Sequence, residues 1–67
     1  MNSVRSAEVI AVGTELLLGE VVDTNSARVA ADLAEAGVDV YWSQRVGDNQ
    51  ARIMAALDAA LDRSDLV

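Results

Sequence analysis

The chain has 67 residues, of which 52% are apolar, with no cysteine, no histidine and a net charge of −6 from five arginines and eleven acids. Such a chain holds at most one domain and excludes disulfides, thiolate metal sites, an imidazole base and the common zinc clusters. The acidic balance argues against non-specific nucleic-acid binding and against an anionic membrane surface. No apolar run approaches the ~18 residues of a membrane span, and the apolar fraction is too high for disorder.

A chain of this length buries only about 60% of its unfolded surface, so a marginal core is expected. The opening residues lack a signal-peptide pattern, which points to the cytoplasm.

Residues 1–6 (MNSVRS) are polar and read as a frayed start. Residues 8–12 (EVIAV) are a β-branched run with little alternation, as in a strand buried on both faces of a parallel sheet. Gly13 ends it. The segment from Gly13 to Asn25 is bounded by glycine and is partly apolar, partly acidic. Leu16, Leu17 and Leu18 would be odd in an exposed loop, so a short helical turn packed on the sheet or on a partner subunit is expected.

Residues 25–36 (NSARVAADLAEA) predict a helix. Val29, Ala30, Leu33 and Ala34 or Ala36 repeat at helical spacing, and Gly37 stands where a C-terminal glycine belongs. Asp23, Thr24 and Asn25 are all acceptable caps. Residues 38–44 (VDVYWSQ) alternate, with Val38, Val40 and Trp42 on one side and Asp39, Tyr41 and Ser43 on the other. That is a strand with one wetter face, nearer an edge. Residues 46–49 (VGDN) form a turn, and residues 50–62 a second helix with an Ile53, Leu57, Ala60, Leu61 stripe. Asp48 or Asn49 caps its start and Arg63 suits its last turn. Residues 64–67 (SDLV) read as the entry to a third strand.

This order predicts an α/β fold with a mainly parallel sheet, of which the chain supplies the first β-α-β-α-(β) portion of a larger domain. The other reading is a complete miniature that dimerises to close its core. In open α/β sheets, ligands bind beyond the carboxyl ends of the strands. Two segments belong on that rim: Gly13–Asn25, and Gly47, Asp48 and Asn49.

Gly13 lets the backbone turn sharply and approach a ligand, or is a plain turn glycine. Gly13 and Gly19 make neither a dinucleotide fingerprint nor a P-loop. Glu15 is a ligand acceptor, a metal ligand or a solvated acid. Asp23 and Asn25 are caps, or orient a ligand at a helix N-terminus where amides and the dipole favour anions. Asp48 is the sharpest candidate. The helix dipole accounts for a carboxylate there, and the alternatives are a divalent-cation ligand or a base toward water. Arg45 offers charge to a phosphate or plays a surface role. Asp32, Glu35, Asp58 and Asp62 read as solvated helix faces.

The segments AEVIAVGTELLLGEVVDTNSARVAADLAEAGVDVYWSQRVGDNQARI and SDLV resemble the start of the CinA (competence/damage-inducible protein A) family. Its N-terminal domain belongs to the molybdopterin-binding-like superfamily. The carriers are Gly13-Thr14-Glu15-Leu16-Leu17, Asp23-Thr24-Asn25 and Gly47-Asp48-Asn49, in that order and spacing. The resemblance implies a three-layer αβα fold and a nucleotide or pterin ligand at the strand ends. It implies hydrolysis of the pyrophosphate of ADP-ribose with a divalent metal, or molybdopterin binding for cofactor assembly without hydrolysis. It further implies rim roles for Gly13, Thr14, Glu15, Asn25 and Asp48, with Asp48 matching a functionally important acid.

The family continues with a threonine- and glycine-rich loop and a further aspartate, and in some members with a domain that deamidates nicotinamide mononucleotide. The expectation is therefore an incomplete pocket and no turnover from these residues alone. A homo-oligomer is a further expectation.

Overall fold

A computed structural model describes residues 4–67. The elements run β1 (Ser6–Val12), α1 (Thr14–Leu17), α2 (Thr24–Glu35), β2 (Asp39–Val46) and α3 (Gln50–Arg63). β1 and β2 pair in parallel, and Leu66 makes a parallel bridge to Ala7 on the other side of β1. β1 therefore lies between its two neighbours, and among the described residues β2 pairs on one side only.

α2 and α3 each pack on β1 and β2 without touching one another. Val9 shares a cavity wall with Val29 and Leu33 of α2, whereas the adjacent Glu8 reaches Arg63 of α3. Successive strand residues point to opposite faces, so the helices cover opposite sides of the sheet in a three-layer αβα arrangement.

Local chemistry explains the helix ends. Asp23 is the N-cap of α2, its Oδ1 accepting the Ser26 N–H at 3.0 Å. Asn25 therefore lies inside the helix, not at its cap. Beyond Glu35 the N–H of Gly37 donates to the Ala34 carbonyl at 3.0 Å and that of Val38 to Leu33 at 2.9 Å. This pair of bonds needs a left-handed residue between them, which Gly37 supplies at φ 84°. Asn49 caps α3, its Oδ1 accepting the Arg52 N–H at 3.1 Å, so Asp48 is not the cap.

Four other expectations are corrected. The frayed start fails at Arg5 and Ser6, whose N–H groups donate to Asp65 Oδ2 at 2.9 and 3.2 Å; residues 1–3 lie outside the described residues. The simple alternation of the second strand fails because the register shifts between Ala7 and Glu8, which pair with Val40 and Trp42. Tyr41 is the extra residue of that irregularity, and it puts Val40 and Trp42 on opposite faces. The strand also runs on to Val46, because pairing with Ala11 and Val12 holds Arg45 and Val46 extended. In α3 the packed side is carried by Ala56 and Ala60, and Leu61 is exposed.

The buried apolar side chains are small: Ala7, Val38, Val46, Ala56 and Ala60. Alanines on α3 let that helix lie close to the sheet, but they bury little area each, so apolar transfer contributes modestly. Polar bonds carry more of the fold than usual. Glu8, only 3% exposed, sits at the start of the sheet on the α3 side. Its carboxylate accepts from Arg63 Nε at 2.8 Å and Nη2 at 2.6 Å, from Gln44 Nε2 at 2.6 Å and from Ser64 Oγ at 3.2 Å. The Arg63 guanidinium in turn lies 3.8 Å from the Trp42 ring centroid. Among the described residues no helix is long and apolar enough to cross a membrane.

Candidate functional site

The rim at the C-terminal ends of β1 and β2 is built by its glycines and one hydroxyl. The Gly13 N–H donates to the Val46 carbonyl at 2.9 Å, tying the two strand ends together. The Gly13 carbonyl then accepts from Leu16 and Leu17, both at 3.1 Å, and starts the single turn of α1. Thr14 spans both segments, its Oγ1 accepting the Asp48 N–H at 3.3 Å. Gly47 is buried, and a Cβ there would lie 3.4 Å from Leu17 Cδ2. The prediction that both segments share one rim is met through these contacts.

Two residues beyond α1, Gly19 turns the chain back with a φ of 76°. The Glu15 carbonyl accepts from Glu20 at 2.9 Å and Val21 at 3.4 Å, which folds the loop over the end of β1. A groove of 560 Å³ opens beneath it, between the loop, β1 and the start of α2. Its polar walls include Glu15, Asp23, Thr24 and Asn25, and its apolar walls include Val9 and Val29.

The predicted residues therefore divide. Glu15, Asp23 and Asn25 line the groove. Gly13, Thr14, Gly47 and Asp48 meet beside it, on the connection that joins the strand ends. Asn49 is engaged in capping α3. Leu16 also lines the groove, while Leu18 is 66% exposed.

Asp23 is electrostatically the most defined of these. Its bonds to Ser26 hold its carboxyl below the usual carboxylate range, and the Arg45 charge adds to that. One oxygen caps the helix, so the Ser26 N–H is turned to a side chain of the protein and not to an incoming anion. The other, Oδ2, is buried and accepts no hydrogen bond, with Arg45 Nε at 3.6 Å. Sequence reasoning missed this pairing and the burial of Ser26. The Asp-x-x-Ser spacing is a cap signal that would have found Ser26. Arg45 has no local signal, since its proximity depends on strand pairing.

The carboxylates do not converge. Among the described residues no group of three or more His, Cys, Asp or Glu side chains is placed to hold a metal ion. Asp48 is exposed and its carboxylate has no partner among the described residues. These residues do not fit a divalent-metal centre by themselves, which needs several oxygen ligands.

Comparison with known proteins bears on this arrangement. Residues 8–67 match the model of a family described as "Probable molybdopterin binding domain". A "Putative competence-damage inducible protein" of Levilactobacillus brevis is 61% identical over 61 residues, covering 91% of this chain and 15% of that protein. The protein of the same description from Clostridium beijerinckii is 51% identical over 61 residues, with coverage of 91% and 15%. The solved structure of the protein CinA, of unknown function, from Thermoplasma acidophilum superposes with a TM-score of 0.90 at 35% identity, covering 97% of this chain and 39% of that one. The chain thus spans about 15% of the length of the curated relatives.

Proposed function

The chain belongs to the molybdopterin-binding domain family in its CinA-type form, and on that premise we propose that the rim binds a nucleotide or a pterin. The observation that carries the reading is the groove itself. It is a 560 Å³ hollow at the carboxyl end of β1, lined by Glu15, Asp23 and Asn25 together with apolar residues such as Val9, Ile10 and Val29. Ligand sites in open α/β sheets occur at this place, and an apolar lining with a few polar groups suits a flat heterocycle bearing hydroxyl or amino donors. The carboxylate of Glu15 accepts from such donors, and the Asn25 amide both donates and accepts.

The finer reading is hydrolysis of the ADP-ribose pyrophosphate with a divalent metal, with Asp48 as the acid on this rim. In that reading the remaining metal ligands lie in a longer protein. Binding of molybdopterin without hydrolysis is the second reading. The separation of Glu15, Asp23 and Asp48, with no cluster of three metal-ligating side chains among the described residues, favours it.

Titration of the protein with ADP-ribose and, separately, with a reduced pterin tests the proposal. Samples are then assayed for AMP with and without added magnesium. One of the two ligands is expected to bind, with Glu15→Ala weakening it about tenfold through loss of a charged hydrogen bond. AMP release supports the hydrolytic reading, and pterin binding without AMP supports the second. Failure of both ligands to bind rejects the site.

A further inference from the structure

Arg45, near the end of β2, pairs with Ala11 in the register. It lines a second cavity, of 320 Å³, together with Leu16, Leu17, Val21, Val22 and Asp23. Asp23 also lines the larger groove, so the two hollows share one wall. The Asp23 side chain is 3% exposed and that of Arg45 54%. At 3.6 Å, Arg45 Nε forms an ion pair with Asp23 Oδ2 but no hydrogen bond. The guanidinium is a planar fork of five N–H donors. Its terminal Nη groups have no partner among the described residues.

We propose that Arg45, positioned by Asp23, receives the phosphate or pyrophosphate group of the ligand whose uncharged part occupies the adjoining groove. The inference rests on the ligand-binding role proposed above. The groove walls carry the carboxylates of Glu15 and Asp23, which suit hydroxyl and N–H donors but repel an anion. At the N-terminus of α2 the Asp23 carboxylate takes the Ser26 N–H and places a negative charge, which disfavours an anion there. Of the described cations, Arg45 alone lines these two cavities. Asp23 meets the guanidinium at Nε, which leaves the Nη donors for bidentate contact with a phosphate. The buried oxygen without a donor is thereby explained: it sets the orientation of a half-exposed cation.

The test is calorimetric titration of wild type, Arg45→Ala, Arg45→Lys and Asp23→Asn with inorganic pyrophosphate and, separately, with ADP-ribose. Arg45→Ala is expected to weaken pyrophosphate binding at least about tenfold, with a lower thermal midpoint but a melt that stays cooperative, since Asp23 loses its charge partner. Arg45→Lys does not restore it, because an ammonium lacks the fork. Asparagine keeps the helix cap, so Asp23→Asn folds normally, and it weakens binding about threefold as the guanidinium loses its orientation. Pyrophosphate binding that is absent in wild type or unaffected by Arg45→Ala overturns the proposal. Tighter binding by Asp23→Asn overturns the positioning role, since it would mean that the carboxylate only repels the anion. The ADP-ribose arm separates the two readings. If ADP-ribose binds wild type and Arg45→Ala equally, the groove reading stands and Arg45 is rejected. If it binds neither while pyrophosphate still requires Arg45, the anion site stands and the nucleotide reading is rejected.

Discussion

At the end of the sheet where β1 begins, one carboxylate is surrounded: Glu8 accepts from Arg63, Gln44 and Ser64 and is sealed from solvent. At the end where β1 and β2 finish, Glu15 and Asp48 make no side-chain bond among the described residues, and one oxygen of Asp23 lacks a donor. The same residue type is therefore structural at one end and available at the other. The alanine-sized core explains the first half of this contrast. With few large side chains to bury, β1, β2 and α3 are joined by a charged staple. The second half follows from the fold, since the carboxyl ends of parallel strands are where loops diverge and leave a hollow.

The strongest way to break the comparison is to neutralise Glu8. Glu8→Gln is expected to cost about 3 kcal/mol, near the low end for a broken buried pair because Arg63 keeps some contact with water. Asp48→Asn on the rim is expected to change stability by less than about 0.5 kcal/mol, as for other surface changes. Urea unfolding followed by circular dichroism measures both, and equal losses would erase the distinction between the ends.

Acid sharpens the same contrast. The Arg63 hydrogen bonds hold the Glu8 pKa down at about 2, against an ordinary value of 4.5. A depressed carboxylate contributes stability that is fully present above its unfolded pKa and is lost as pH falls toward the folded one. Stability should therefore decline between pH 4.5 and about 2. Asp65, lowered by the N–H groups of Arg5 and then Ser6, acts with the same sign, as does Asp23. In Glu8→Gln the decline should be shallower; an unchanged slope would mean that Glu8 is not the acid-sensitive link.

Capping gives the next effect in size and compares adjacent residues. Asn49→Ala is expected to cost about 1 kcal/mol, because the Arg52 N–H loses its acceptor. Asp48 precedes it by one position and caps nothing. A melt in which Asp48→Ala proved the more damaging would reverse the roles assigned at the start of α3.

What was legible in the sequence was local. The two long helices, Gly37 at the end of α2 and the rim itself all follow from spacing over a few residues or from a general rule of α/β sheets. The CinA-type motifs marked Gly13, Thr14 and Gly47, which the structure joins. Non-local pairings were not legible. Glu8 and Arg63 are 55 residues apart, and nothing near either one announces the other. The Tyr41 irregularity and the extension of β2 to Val46 are imposed by β1. Arg45 reads as a surface residue until strand pairing brings it to Asp23. A propensity argument sees a segment, whereas a buried charge needs its partner.

Gly13 offers the finest test, because it links the backbone of the rim to a free carboxylate. Its φ of 164° is extended backbone open to any residue, so a side chain there meets no torsional penalty. The obstacle is spatial: an added Cβ would lie 2.7 Å from Glu15 Oε1. That atom is the far end of a flexible side chain, so it swings away at little cost, and Gly13→Ala is expected to change stability by less than about 0.5 kcal/mol. The carboxylate that lines the groove is nevertheless displaced. Ligand affinity should then fall by about the same factor as in Glu15→Ala, and the double variant Gly13→Ala, Glu15→Ala should be no worse than either single one. Additive losses would mean that Gly13 acts by its own approach to the ligand. A large loss of stability would mean that the Gly13 to Val46 bond between the strand ends had been disturbed instead.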